Sequence, residues 1–368
     1  MTPLGASLFA AALALPCVAP ALAETAPERG SVSLKYLDYL DSQPGAERVR
    51  VRAPALGVIA PIGADWAVNG ILTSDSISGA SPAYHTSALS KLRDQRYAFE
   101  ANVMRYYSSA SWTLAGQFST EDDYVSRGLS LHGTRSSEDK NITWSAGLGV
   151  NHDSIDPVNR AVDHENKRVT MLVLGMTQVL TPHDIVQFNF GHVRGRGYFS
   201  DPYKVLDSRP RQRDQTTASA RWNHHLPATE TTLRLNYRYY RDSFGVRAHT
   251  FTLEAVQPLP YGFIVVPLLR LYSQGAARFY VDADPSSAPF PPNPPDDALY
   301  YSEDQRLSAF GARTVGVKLI KQLDADWSID FKAERYEQRG AWRFSGRGSP
   351  HLAPFRARSY QLGVTRLF

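Results

Sequence analysis

The sequence predicts an all-β fold, a transmembrane antiparallel β-barrel of about 16 strands. Three observations carry this. Apolar and polar residues alternate with period two in one short segment after another. The connections between these segments alternate between tight and long, as an up-and-down barrel requires. After the first 23 residues no apolar run is long enough for a membrane helix, so a membrane-spanning form of this chain crosses as strands.

Taken in order, residues 1–23 read as a signal peptide. The run from Leu4 to Ala23 carries no charge and ends Ala21-Leu22-Ala23 before Glu24, which fits a small-residue cleavage site, although no Lys or Arg precedes it. Export is therefore expected, with residues 24–368 forming one barrel domain, because no later block resembles a linker. The sole cysteine, Cys17, lies inside the leader behind Pro16, which argues against lipid attachment. The mature chain then offers no disulfide and no thiolate metal site. A net charge of +4, with its basic residues dispersed, gives nucleic-acid binding little support.

Alternating segments fall at 31–40, 47–60, 66–76, 94–107, 111–120, 124–134, 141–152 and 167–180. Others follow at 184–196, 213–225, 230–242, 246–257, 262–280, 305–321, 326–342 and 355–368. The clearest sets Leu233, Leu235, Tyr237 and Tyr239 against Arg234, Asn236 and Arg238. Tight turns lie at 61–65, 108–110, 181–184, 227–230, 258–262 and 324–326, and are expected on the periplasmic side with both termini. Longer polar connections at 77–93, 153–166, 197–212, 281–304 and 343–354 are expected outside. Trp66, Trp112, Trp144, Trp222 and Trp327 each lie near a tight turn, where an interfacial girdle would place them, and Trp342 marks the other rim. The polar faces bring Glu100, Asn102, Arg234, Arg238, Glu254, Asp330, Lys332 and Glu334 into the lumen, which suits either a water-filled pore or an ion-paired plug.

The final segment places Tyr360, Leu362, Val364 and Phe368 on one face, and Arg366 shares it, which is tolerable near a membrane interface. An alternating strand closed by a terminal aromatic resembles the assembly signal of bacterial outer-membrane barrels. That resemblance implies the outer membrane of a Gram-negative bacterium, its lipid and the barrel assembly machinery as partners. The last strand is expected to pair with residues 31–40.

One segment invites a chemical reading. Asp75-Ser76-Ile77-Ser78-Gly79-Ala80-Ser81-Pro82 follows the third strand and by composition is an ordinary strand exit. Together with Glu121-Asp122-Asp123-Tyr124-Val125-Ser126, Ser200-Asp201-Pro202-Tyr203-Lys204 with Arg209-Pro210, and Leu269-Arg270-Leu271-Tyr272-Ser273-Gln274 running into Ala276-Ala277-Arg278-Phe279-Tyr280, it resembles the barrel family known as domain of unknown function 3570. The resemblance implies an outer-membrane barrel and no established activity.

The same segment, Asp75-x-x-Ser78-Gly79-Ala80-Ser81, is similar to the acceptor motif of flavin transferases, which attach FMN through a phosphoester to the last hydroxyl residue. This resemblance implies covalent FMN on Ser81, with Asp75, Ser78, Gly79 and Ala80 forming the recognition sequence. Its implied partners are a flavin transferase and a thioredoxin-like or other redox protein. Serine in place of the commoner threonine, and Pro82 after it, are departures from the pattern.

Catalytic motifs are missing from the sequence: there is no Gly-rich phosphate loop, no His-Glu-x-x-His and no Gly-x-Ser-x-Gly elbow. His224 and His225 are adjacent, so in a strand they point to opposite faces and cannot chelate one ion. The acidic and proline-rich stretch 282–304 reads as a solvated extended loop ahead of a calcium cage. Ser78, His85 and Asp75 have the residue types of a hydrolase triad, but their spacing does not support one. Three functions remain: a component of an extracytosolic redox system carrying FMN, a porin-like passive channel, or, with no spacing to support it, a hydrolase embedded in the barrel wall.

Overall fold

The computed structural model describes residues 25–80, 91–204, 206–282, 284, 286, 294 and 296–368. The expected signal peptide, Ser81, Pro82 and His85 lie outside the described residues. The strands, in chain order, are β1 Ser31–Gln43, β2 Ala46–Ile62, β3 Trp66–Ala80, β4 Lys91–Tyr106, β5 Ala110–Thr120, β6 Tyr124–Ser136, β7 Ile142–Ile155, β8 Glu165–Thr181 and β9 Asp184–Gly197. There follow β10 Asp207–Ser208, β11 Gln212–Leu226, β12 Thr231–Asp242, β13 Arg247–Leu259, β14 Phe263–Gln274, β15 Tyr301–Ser302, β16 Phe310–Gln322, β17 Trp327–Arg339 and β18 Phe355–Leu367. Sixteen of them close into an antiparallel barrel, each paired with its neighbour in sequence, and the two-residue strands β10 and β15 pair separately outside the wall.

Closure is made by β1 and β18, in register from Ser31↔Leu367 to Ser42↔Arg356. Beyond the ladder, the Gly30 amide donates to the Phe368 carbonyl and the Phe368 amide to the Gly30 carbonyl, each at 3.0 Å. A closed wall leaves no unpaired edge, which hydrocarbon would not tolerate.

The period-two pattern sorts side chains between two solvents. Leu34, Leu72, Leu114, Leu148, Leu253, Val315 and Leu362 stand exposed on the outer face, while their neighbours along each strand face the lumen. Among the expected inward charges, Arg234 lies 3.8 Å from Glu254, Lys332 2.9 Å from Glu334, and Asp330 3.6 Å from Lys318. Trp66, Trp112, Trp144, Trp222 and Trp327 are all outward and exposed near the tight-turn end. Arg366 joins them: it is opposite Trp327 in register, with its guanidinium 5.4 Å from the Trp327 ring. A lipid-facing Arg costs about 2–4 kcal/mol at the bilayer midplane but about 0–1 near an interface, so this position makes it tolerable.

Three boundaries differ from the sequence reading by more than three residues. The third strand does not end at residue 76 but runs on to Ala80, paired with β2 and β4, so Asp75–Ala80 is wall and not a strand exit. β14 stops at Gln274, and the chain returns to the wall only at Phe310. A 3₁₀ turn at Gln305–Leu307, capped by the Asp304 side chain accepting from the Arg306 amide, breaks the extended backbone there.

Candidate functional site

The tight-turn end carries connections of a few residues, whereas the opposite mouth carries the segments between β9 and β11, β14 and β16, and β17 and β18. These three pack against one another. An apolar cluster of Phe244, Val246, Ala277 and Leu307, with Phe199, Tyr240, Phe279 and Tyr280 against it, forms one part of this cap. Phe244 is fully buried, its ring edge-on to Phe279 at 5.0 Å and to Phe199 at 6.1 Å.

The other part is ionic. Asp304, 1% exposed, accepts from Arg209 Nη2 at 2.8 Å, lies 3.3 Å from Lys204 Nζ, and pairs with the Arg306 guanidinium. Arg209 also holds Asp207 at 2.5 Å, and Arg306 reaches Asp201 at 3.2 Å. Burial pushes the Asp304 carboxyl up, but Arg306, Lys204 and Arg209 together override it and hold it well below the usual range. Burial raises Asp207, only partly offset by Arg209, and burial lowers Lys204 against the pull of Asp304. The phenol of Tyr198 is pushed up to about 12 by burial and by Asp207.

Asp201, Asp207 and Asp304 bring carboxylate oxygens within 4.8 Å of one another, a spacing that suits a cation. Arg209, Arg306 and Lys204 already supply that charge, so the cluster is an ion-paired knot. Anchors run from it around the mouth. Gln43 of β1 donates to Gln305 at 3.1 Å, Tyr203 donates to Asp123 between β5 and β6 at 2.7 Å, and Gln274 Nε2 donates to the Arg306 carbonyl at 3.0 Å. The Ser349 amide donates to the Ala309 carbonyl at 2.8 Å. These partners sit on well-separated strands, so the cap lies across the opening.

The flavin-acceptor-like segment climbs the wall to the same mouth. Asp75 faces inward, 3% exposed, with one oxygen 3.4 Å from Arg96 of β4. Arg96 also donates to Ser119 at 2.8 Å and lies 3.8 Å from Glu121. The second Asp75 oxygen is buried without a hydrogen-bond partner among the described residues. Ser78, Gly79 and Ala80 are strand-paired to Arg93, Leu92 and Lys91. The described part of the motif, Asp75–Ala80, is therefore held in the wall. Asp75, the first residue of the acceptor-like motif, is engaged by Arg96 and not free to meet a transferase in the folded wall.

Sequence reasoning missed the ionic knot. Lys204 and Arg209 lie in the blocks that carry the family resemblance, but their partner Asp304 lies 95 residues beyond Arg209, and only the conjunction of cationic and acidic long connections hints at pairing. His224 and His225 do diverge, to Asp184 at 2.8 Å and to Thr232 at 3.2 Å.

A family profile described as "Protein of unknown function (DUF3570)" matches residues 83–359, a region that begins beyond Ser81. No curated protein matches the chain. Among solved structures, a bacterial polysaccharide outer membrane secretin is similar over 92% of this chain and 98% of its own, at 8% identity and a TM-score of 0.53. CdiB from Acinetobacter baumannii is similar over 90% of this chain, at 10% identity and a TM-score of 0.50, and the chain spans 60% of its length. At such identities the likeness is one of fold.

Proposed function

The chain belongs to the DUF3570 family, and from that premise we propose that it is an outer-membrane barrel whose capped mouth faces outward and whose resting lumen is shut. Its assembly partners are outer-membrane lipid and the barrel assembly machinery. The observation that carries this reading is the buried knot at Asp304, with three cations on one carboxylate and anchors around the rim. A passive porin needs a standing aqueous path, and a buried, ion-paired cap across the mouth opposes one. Planar-bilayer recording tests this. The protein should give no steady current, and a steady ohmic conductance from single inserted barrels would overturn the proposal in favour of a porin-like channel.

A second reading, covalent FMN on Ser81 within an extracytosolic redox system, is favoured by the acceptor-like sequence Asp75–Ser81, whose described part, Asp75–Ala80, runs toward this mouth. FMN would supply one- and two-electron chemistry there. On this reading Asp75, Ser78, Gly79 and Ala80 serve recognition, and a flavin transferase and a thioredoxin-like or other redox protein are the partners. Asp75 is engaged by Arg96, which implies modification before β3 is zipped into the wall. Coexpression with a flavin transferase followed by denaturing electrophoresis tests it: ultraviolet-excited fluorescence should accompany the band and vanish in Ser81→Ala. A non-fluorescent wild-type band of unshifted intact mass would exclude it.

A further inference from the structure

Near the capped mouth the outer face of the barrel changes chemistry. On adjacent strands β16, β17, β18, β1 and β2 the register sets outward residues in rows. One row reads Leu319, Phe331, Leu362, Tyr36 and Pro54, all apolar. Two rows nearer the mouth it reads Val315, Arg335, Arg358, Leu40 and Arg50. Arg52 lies in the row between, and Arg313, Glu337 and Arg356 align in the row beyond. The side chains of Arg50, Arg52, Arg313, Arg356 and Arg358 are 44–58% exposed, and Arg335 is exposed with them.

Counter-charge falls short. Asp38 takes Arg50 at 2.8 Å and Arg52 at 3.6 Å, while Glu337 takes Arg313 at 3.1 Å, Arg356 at 3.5 Å and Arg339 at 2.5 Å. Glu47 lies 4.0 Å from Arg358. Among the described residues, seven guanidiniums thus face three carboxylates. Arg335 and Arg358 stand directly opposite one another, a like-charge pairing that is destabilising unless an anion sits between them.

Height identifies the anion. From Arg366 at the turn-end girdle to Arg358 the strand climbs about 27 Å along its axis, which is about 20 Å of height at barrel tilt, close to the apolar band of an outer-membrane barrel. The arginines therefore sit at the upper membrane boundary, where lipid phosphates lie. Below them the outer face is hollowed by about 630 Å³ between Tyr36, Pro54, Leu72, Tyr97, Phe99 and Leu362. Five strands make the patch about 19 Å wide, more than one phosphate fills.

We propose that this surface binds the phosphorylated glycolipid anchor of lipopolysaccharide, its phosphates on Arg50, Arg335 and Arg358 and an acyl chain in the hollow. Guanidinium forks suit phosphate bidentately. The proposal rests on the reading that the capped mouth faces outward.

Glycolipid retention is measured on the detergent-purified barrel by native mass spectrometry with added lipid A, against phosphatidylglycerol as competitor. At about 1 kcal/mol per surface arginine, the double variant Arg335→Gln/Arg358→Gln should weaken lipid A binding roughly 30-fold. Arg105→Gln/Arg366→Gln, at the other boundary, should leave it unchanged. Heat-modifiable gel mobility selects barrels that have folded. Equal losses in the two double variants, or equal retention of phosphatidylglycerol, would overturn the site. Orientation is read separately by maleimide labelling of Ser345→Cys on intact cells. Labelling without lipid A binding overturns the site and leaves the outward mouth standing, whereas failure to label overturns the outward mouth and the outer-leaflet ligand with it.

Discussion

Asp304→Asn removes a charge that three cations share while keeping the side chain's shape. The perturbed carboxylate is 1% exposed and lies 2.8 Å from Arg209 and 3.3 Å from Lys204, with Arg306 against it. Breaking a buried ion pair from one side costs about 3–5 kcal/mol, because the partner charge is left uncompensated. Here Asp207 still holds Arg209 and Asp201 still holds Arg306. Asn also remains a competent cap for the Arg306 amide. The lower end, about 3 kcal/mol, is therefore the expected loss, and it raises the open-to-closed ratio of the cap by about 100-fold or more. The barrel wall is not touched, so heat-modifiable mobility should be retained. Limited proteolysis should instead cut between residues 198 and 211 or between 275 and 309 correspondingly faster, and bilayer recordings should show bursts of current that the parent lacks. Cleavage and conductance identical to the parent in a folded variant would refute the knot as the element that holds the cap.

Three further outcomes follow from the same geometry. Because the Asp304 carboxyl lies below its unfolded value of about 3.9, the stability it lends is complete above that pH and is lost as pH falls through the folded value. Raised Asp207 acts oppositely, its contribution present below its unfolded pKa and withdrawn as pH rises through the folded one, so protease resistance of the cap should hold from neutral pH down to about 4 and decline progressively below it, as Asp304 approaches its folded value. Gly311→Val should lower the folded fraction on heat-modifiability gels, since a Cβ there would overlap the Trp342 backbone carbonyl, whereas Gly70→Ala, with nothing within 4 Å, should fold normally. Asp75→Asn should cost about 1–2 kcal/mol in urea unfolding of the micelle-bound barrel, because Arg96 keeps Ser119 and Glu121; a loss above 4 kcal/mol would mean that Asp75 carries more than this pair.

The wall was legible because each strand separates two solvents, and a period of two is what that separation writes. Leu235 against Arg234 and Arg238 needs no knowledge of the rest of the chain. The extension of β3 from residue 76 to Ala80 was not legible, for a physical reason. Above the membrane a strand is held by backbone hydrogen bonds to β2 and β4, so Ser78, Gly79 and Ala80 need carry no apolar signal and look like an exit. Asp75 reads as a turn residue until Arg96, 21 positions later, is seen opposite it. The cap is the limiting case. Lys204, Asp207 and Arg209 are ordinary loop charges until the chain from Gly275 to Ala309 folds back over them, and pairings at that separation leave no local period.

Wall height links the cap to the arginine patch. β2 and β8 each run 17 residues, about 56 Å of strand and roughly 40 Å of height at barrel tilt, against an apolar band near 25 Å. The excess stands at the mouth, because the Trp girdle sits within a few residues of the tight turns. A raised wall has two polar faces, and the closing seam uses both. On the inner side Arg48 lies 3.9 Å from Asp41, both side chains 9% exposed, beneath the cap anchored at Gln43. On the outer side Arg50 reaches Asp38 at 2.8 Å with nearly half of its side chain exposed. The register shift between Leu40 and Ser42 falls between these two pairs, and a bulge is the device that turns successive charges to opposite faces. One irregularity at the seam thus divides the charge between the lumen, where it locks the cap, and the membrane surface, where it meets lipid phosphate.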